Sequence, residues 1–574
     1  MKLRVPVLVV ALGCAVGTVS SAVAANVSLS SGTLIYGAAA AEANNLTVSR
    51  VGANFVFVDT GAPITPGGGC AAITANSASC AAAPVTTFSI SVADLADQVV
   101  IDDSVTAVQV NISGSGGADQ LTGGENTADT IVGDDFGGAP ANDILSGRGG
   151  DDRMIGGDGN DTIDGGAGNE FFDGDPGNDT INGGPGFDRL GSGSTADGAD
   201  TFNGGTETDS VDYRSRTNAV TVSANGVADD GEAGEGDNLG ADVEQLTGGQ
   251  GNDTISGSSS AGGSIQGDVG NDVITGGSGN DSIGGGAGND TINGGAGNDS
   301  INGGAGTDTV DGGAGDDEIA SSTFDGQDVY RGGSGNDRAN YSGGTSGPVV
   351  VSLDGVANDG GADENDNVGT DIEDVLGGSF DDTITGSAAA NELDGGSGND
   401  VVNGLGGSDG LSGDRGNDTL DGGAGIDALS GGAGADTLRS RDASADDVLC
   451  GGESDIAIAD VKDTLRACES VSSGVVIVTS STRVRTGRVT LALSCPAIEE
   501  RRCVGTLRLV SGSLLGSRAF SIPSGARRNV VVSLTSVGRR IIGRRPTTAV
   551  AASARFTDGA GRAVTTARSV AVRR

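Results

Sequence analysis

The chain contains no histidine and no tryptophan, and only 3% of its residues are aromatic. Without histidine there is no H-E-x-x-H zinc site and no Ser-His-Asp or Cys-His nucleophilic arrangement. Without tryptophan, and with only four tyrosines, a carbohydrate-active cleft would have little to stack sugars against. Asp and Glu are abundant enough for paired-carboxylate glycoside chemistry, but abundance is not a site, and the residues point to a protein that is not an enzyme. The aromatic shortage also argues against one large conventional core, while 574 residues predict several domains. Basic residues are scarce as well, 33 Lys and Arg against 78 Asp and Glu, for a formal net charge of −45. No apolar span follows the first 25 residues, so no transmembrane span is expected in the mature chain.

Glycine is abundant, at 106 residues. Residues 267–320 are six consecutive copies of a nine-residue unit, G-G-x-G-N-D-x-U-x, in which U is a bulky aliphatic; 285–293 (GGAGNDTIN) and 294–302 (GGAGNDSIN) are the plainest. Paired glycines every nine residues exclude a helix, at about 1 kcal/mol each relative to alanine. The period predicts a solenoid of tight turns and short strands. The three-residue x-U-x strand turns its middle side chain inward, so Ile274, Ile283, Ile292, Ile301, Val310 and Ile319 are the expected core. Two units per coil place unit n over unit n+2 at about 4.8 Å, with Asp281 over Asp299 and Asp290 over Asp308. Carboxylates about 5 Å apart repel by on the order of 1 kcal/mol even in water. One buried aliphatic per unit, at roughly 1.5–3 kcal/mol, does not offset the ordering entropy of nine residues. A cation between the turns is therefore expected. Oxygen-only ligands suit Ca²⁺ better than a transition metal. The acids recur at fixed turn positions, which favours cations as partners and disfavours nucleic acid.

These units resemble the RTX, or hemolysin-type calcium-binding, repeat, whose G-G-x-G-x-D-x-U-x pattern is a Ca²⁺-binding β-helix signature. The resemblance implies a right-handed parallel β-roll with Ca²⁺ between successive turns. Carried over by position, it implies the ligands Asp161, Asp179, Asp253, Asp272, Asp281, Asp290, Asp299, Asp308, Asp317, Asp400, Asp418, Asp427 and Asp436, with carbonyls of their turn glycines. Three units depart from the pattern: Glu170 replaces Asp, Leu405 replaces the second glycine, and Asp175-Pro176 interrupts a third. Weak or absent binding is expected at those edges. Many RTX proteins are secreted proteases or lipases, and the missing histidines set this chain apart from those enzymes.

The fold class expected is all-β: a parallel β-roll flanked by small β domains and a C-terminal β-sandwich. Residues 1–25 read as a secretory signal peptide, with Lys2 and Arg4, an apolar stretch from Val5 to Val19 and a small-residue cleavage site at Ala22-Val23-Ala24. The alternative is a lipoprotein acylated at Cys14, although that box lacks the usual leading Leu. An N-terminal signal points to the general secretory path rather than the type I route, whose members carry an uncleaved C-terminal signal. Residues 26–115 form an N-terminal β domain. Repeats fill 116–211, 248–339 and 378–440. Between them, 212–247 and 340–377 are inserted β modules that copy each other, from Tyr213 or Tyr341 through the acids Asp230, Glu235, Asp237, Asp242 and Glu244, or Asp359, Glu364, Asp366, Asp371 and Glu373. Each is either a strand pair looping out of the roll or an added Ca²⁺ site. Residues 441–472 are a disulfide-stapled cap, and 473–574 a basic β-sandwich. Six cysteines lie in three local pairs, Cys70/Cys80, Cys450/Cys468 and Cys495/Cys503. Such pairs suggest disulfides in an exported chain; zinc, the alternative, lacks histidine and C-x-x-C spacing.

Two functions follow from these observations. One is a secreted, extracellular, non-catalytic Ca²⁺-binding protein that orders outside the cell. The other is a cell-surface or matrix adhesin that holds an anionic polymer or glycan through an end domain. A secreted hydrolase ranks below both.

Overall fold

The computed structural model describes residues 24–468, apart from 84, 135–139, 259–261, 322–325, 344–345, 363, 441, 443, 453 and 460–461, together with the backbone of the strands between 470 and 573. Residues 1–23 of the expected signal segment and Cys495 lie outside the described residues. Every regular element among the described residues is a β-strand, and none is a helix able to cross a membrane. The chain divides into two compact units, Met1–Arg216 with Ala224–Gln245, and Thr217–Ser223 with Leu246–Arg574.

The first unit opens with antiparallel hairpins, Ala25–Ser30 with Thr33–Gly37 and Asn45–Val51 with Asn54–Asp59, and a strand pair closed by the Cys70–Cys80 disulfide. Two parallel stacks follow. One runs from Thr87–Ser91 through Gln109–Ser115, Thr130–Asp134, Arg153–Ile155, Phe171–Asp173 and Arg189–Gly191 to Ser210–Asp212. The other runs from Gln98–Ile101 through Gln120–Thr122, Ile144–Gly149, Thr162–Ala167 and Thr180–Pro185 to Thr201–Thr206. Strands within 26–115 thus pair directly with the repeats. The inward residues Val99, Leu121, Leu145, Ile163, Ile181 and Phe202 form one buried column, each worth about 1.5–3 kcal/mol of apolar burial.

The second unit repeats the plan. Ile274 pairs with Ile292, Ile292 with Val310 and Val310 with Tyr330 in one stack, and Ile265, Ile283, Ile301, Ile319 and Ala339 follow one another in the other. All are buried. The strands of regular units are longer than the three residues expected: Thr291–Ala296 includes both glycines, because Gly295 and Ala296 stay in register with Gly313 and Ala314. Residues 441–472 continue the stacks through Asp447–Leu449, Ile456–Ala459 and Thr464–Arg466, and carry the Cys450–Cys468 disulfide. The backbone strands beyond it form an eight-stranded, mainly antiparallel sheet. Its register places Arg502, Arg508, Arg555, Arg573 and Arg483 on one face, and Leu507, Leu509, Phe520, Ile522, Phe556 and Val564 on the other.

Close stacking dictates the glycines. Gly288 has φ 144°, and a Cβ there would lie 1.5 Å from the carbonyl oxygen of Gly270. A Cβ at Gly284 meets only the amide end of Gln266 at 2.5 Å, which can swing away. Gly288→Ala is therefore expected to cost on the order of 2 kcal/mol or more, and Gly284→Ala no more than about 0.5 kcal/mol. Thermal denaturation of the two variants in saturating Ca²⁺ checks this, and equal losses would contradict it.

Candidate metal-binding turns

The sixth residue of each unit sits where the turn enters the strand, and all thirteen expected ligand aspartates are buried there. They form ladders. The backbone N–H of each donates to Oδ1 of the acid one coil later: Asp272 to Asp290 and Asp290 to Asp308 at 2.8 Å, Asp281 to Asp299 and Asp299 to Asp317 at 2.8 Å, Asp400 to Asp418 and Asp418 to Asp436 at 2.9 Å, and Asp161 to Asp179 at 2.7 Å. Asp427 accepts from Asp409 at 3.1 Å.

The second carboxylate oxygen is left out of this scheme. In Asp161, Asp179, Asp272, Asp281, Asp290, Asp299, Asp317, Asp400, Asp418 and Asp427, Oδ2 is buried and accepts no hydrogen bond, which is costly for a charged oxygen. At Asp161, Asp272, Asp281, Asp290, Asp299 and Asp317 it shares its surroundings with a glycine carbonyl. A Cβ built on Gly285 would lie 2.4 Å from Asp290 Oδ2 and 2.3 Å from the carbonyl oxygen of Gly303; on Gly294 it would lie 2.4 Å from both Asp299 Oδ2 and the Gly312 oxygen. The first glycine is thus required because two oxygens converge over it. Hard oxygens of this kind, carboxylate with carbonyl, match the ligand preference of Ca²⁺. Among the described residues no group of three or more His, Cys, Asp or Glu side chains is placed to hold a metal. Asp253 differs from the rest, since its Oδ2 accepts from Gly249 N–H at 2.5 Å and its Oδ1 from Val220 N–H at 2.8 Å.

The family model of the RTX calcium-binding nonapeptide repeat matches residues 137–169, 155–190, 173–211, 240–261, 262–292, 284–319, 322–339, 376–411 and 412–442. The repeat region of this chain belongs to that family. RTX nonapeptide repeats bind Ca²⁺, and the orphaned oxygens fit that ion. Comparison with curated proteins gives no match.

The RTX ladders also include acids outside the thirteen expected. Asp97, Asp119, Asp143, Asp152, Asp188, Asp209, Asp337, Asp409 and Asp446 are buried with the same donorless Oδ2. Asp188 in GGPGFDRLG carries the full motif and Asp337 in GGSGNDRAN carries it but for Ala339 at the aliphatic position; Asp119 and Asp143 fall in degenerate units inside the expected repeat span 116–211, and Asp97 lies before it. The fifth-position asparagines are a further addition. They form a second ladder of opposite polarity, in which Asn289 N–H donates to Asn271 Oδ1 at 2.7 Å and Asn178 N–H to Asn160 Oδ1 at 2.7 Å. Of the three departures, only Glu170 breaks a run. No ladder bond joins Asp152 to Glu170, whose two carboxylate oxygens both lack donors. Asp179 and Asp409 stay in their ladders beside Pro176 and Leu405. In the inserted modules, Asp200 N–H donates to Asp237 and Asp209 N–H to Glu244, as Asp328 N–H does to Asp366 and Asp337 N–H to Glu373. These acids close ladders inside each unit.

Burial pushes the carboxyl pKa values up, against the partial relief of the ladder N–H, and neighbouring acids add to the rise at several positions. Asp161, Asp272 and Asp418 reach about 6, Asp143, Asp152 and Asp400 about 7, Asp119 about 8 and Asp179 about 9; Asp281, Asp290, Asp299, Asp317 and Asp427 are raised as well. Folded values above the unfolded 3.8 mean that the metal-free roll binds more protons than the open chain. Its stability is complete below about pH 4 and falls as pH rises through about 6 to 9. In chelator, β-structure followed by circular dichroism is expected to be greater at pH 4.5 than at pH 7.5, with the Ca²⁺ midpoint rising as pH drops below about 7. A chelated signal that strengthens toward pH 7.5 would contradict this.

Proposed function

We propose that this protein is a non-catalytic Ca²⁺-binding protein acting outside the cell, whose repeats order as they take up Ca²⁺ there. RTX repeat proteins are generally secreted. The observation that carries the reading is the file of buried Asp Oδ2 atoms, repeated turn after turn and set beside a glycine carbonyl at Asp161, Asp272, Asp281, Asp290, Asp299 and Asp317. Asp161, Asp179, Asp272, Asp281, Asp290, Asp299, Asp308, Asp317, Asp400, Asp418, Asp427 and Asp436 are the proposed carboxylate ligands. Asp253 is retained among them with its carboxylate already held by two N–H groups. Extracellular Ca²⁺ modules bind at about 10⁻⁴–10⁻³ M. At millimolar Ca²⁺ each ion then adds only about 1 kcal/mol, and stacked turns coupled to their neighbours sum these small terms.

A second reading concerns the C-terminal region. Residues 473–574 contain eighteen arginines and three acids, a net +15, so the preceding 472 residues carry −60. By register Arg502, Arg508, Arg555, Arg573 and Arg483 share one sheet face, while Arg518 and Arg568 lie on the opposite face with Phe520 and Phe556. A segment of this net positive charge suits an anionic cell-surface polymer held through its repeated charges. That favours attachment at the cell surface, with the roll as a stalk.

Circular dichroism of the full chain during Ca²⁺ titration, with Mg²⁺ as control, tests the first reading. A steep gain of β-signal with Ca²⁺ alone is expected, and a spectrum unchanged by chelation would sink it. Replacing Asp290 and Asp308 together by Asn is expected to raise the Ca²⁺ midpoint at least three-fold, whereas replacing the exposed Asp94 and Asp102 leaves it in place. For the second reading, retention on an anionic polysaccharide resin should fall in a variant with Arg502, Arg508 and Arg555 changed to Gln.

A further inference from the structure

Among the described residues Arg216, in the first inserted module, is the only buried arginine. Its guanidinium lies 2.6 Å from Asp197 Oδ1, 2.9 Å from Glu235 Oε1 and 3.8 Å from Glu232 Oε1, and 5.8 Å from the centre of the Tyr213 ring. The Tyr213 hydroxyl donates to Asp237 Oδ2 at 2.7 Å. Backbone donors complete the arrangement. Asp197 Oδ2 accepts from Gly193 at 3.3 Å, Glu235 Oε1 from Asp197 at 2.9 Å, Glu235 Oε2 from Glu232 at 2.6 Å, and Asp237 Oδ1 from Asp200 at 3.0 Å. Asp197, Glu235 and Asp237 therefore have both oxygens supplied by donors of the protein itself, the reverse of the RTX ladders.

The second module keeps the acids at the places of Glu235 and Asp237, has Gly361 at the place of Glu232, and lacks the arginine. Glu364 and Asp366 align with Glu235 and Asp237, but Gly344 stands three residues after Tyr341, where Arg216 stands three after Tyr213. The phenol contact is looser too, Tyr341 lying 3.5 Å from Asp366 Oδ2.

We propose that Arg216 is a resident cation that keeps residues 189–239 ordered without Ca²⁺, so that this coil is the seed in the first unit from which order spreads along the RTX turns as Ca²⁺ rises. The proposal rests on the reading that the turns order on Ca²⁺. The buried guanidinium places one positive charge among several carboxylates and beside an aromatic ring, with its Nη1 left without a hydrogen-bond partner, and removing its charge leaves several acids buried with no counter-charge. Turns that stack on an existing coil avoid starting a new one, because coupling passes between neighbours.

Hydrogen exchange of the full chain, read peptide by peptide in excess chelator and in saturating Ca²⁺, tests it. In chelator, peptides from 189–239 are expected to exchange at least ten-fold more slowly than peptides from 282–320. Arg216→Gln is expected to abolish that difference, while Arg216→Lys, which keeps the charge, preserves most of it. Equal, fast exchange of both segments in the chelated native chain overturns the proposal, as does an Arg216→Gln variant as protected as the native chain. If Arg216→Gln stays unordered even in Ca²⁺, Arg216→Lys decides: protection in chelator supports the resident cation and its loss refutes it. Slow exchange of both segments in chelator overturns instead the reading that the turns order on Ca²⁺, which separates the two failures.

Discussion

Each aspartate at a turn corner has two oxygens and the fold supplies a donor to only one. Oδ1 receives the N–H of the preceding coil, and Oδ2 is enclosed with no donor at most of these positions, beside a glycine carbonyl at Asp272, Asp281, Asp290 and Asp299 among others. The first bond makes the coils stack in register. The second oxygen makes that stacking unfavourable at neutral pH unless positive charge arrives. A protein built from such corners cannot be stabilised by its core alone, because a single aliphatic column has little apolar area to bury per nine residues.

The asparagine beside each aspartate answers a different need. Its ladder runs the other way, N–H to the coil before, on an exposed edge. Two adjacent residues thus bond to opposite neighbours, so a slip of one coil against the next would break both sets together. Asparagine does this without charge and therefore without dependence on cations. Glycine complements it sterically: where Gly288 passes the Gly270 carbonyl, or Gly285 passes the Asp290 carboxylate, no side chain fits.

Much of this architecture is legible in the residues themselves. The nine-residue period implies the two-unit coil, the inward Ile column and the stacking of Asp281 over Asp299, since each depends only on alternation and spacing. Strand length is underestimated by such reasoning because glycine is a poor strand former alone, whereas here Gly295 is held in register by the coils on either side. Ladder members in degenerate units, Asp119 and Asp143 among them, are hidden because stacking tolerates changes in the turn that erase the motif while sparing the acid. The partners of Arg216 are equally hidden. Asp197 and Glu235 lie 19 residues to either side of it in sequence, a separation no local pattern encodes.

The ends of the ladders explain why the two inserted modules share a sequence. In the first, Asp237 closes a run with Oδ1 on Asp200 N–H and Oδ2 on the Tyr213 hydroxyl; in the second, Asp366 takes Asp328 N–H and faces the Tyr341 hydroxyl. One ladder after each module begins with an acid held at both oxygens, Asp253 by Val220 and Gly249 and Asp382 by Val349 and Gly378, whereas the ladder that starts at Asp281 begins with an Oδ2 that has no donor. A run bounded by such corners contains its unmet charge. An uninterrupted file would add repulsion with every coil, since each carboxylate feels those on both sides. Tyrosine hydroxyls and backbone N–H groups at these boundaries supply donors where stacking cannot, so within each unit the acids Asp237, Asp253 and Asp382 beside a module need no cation.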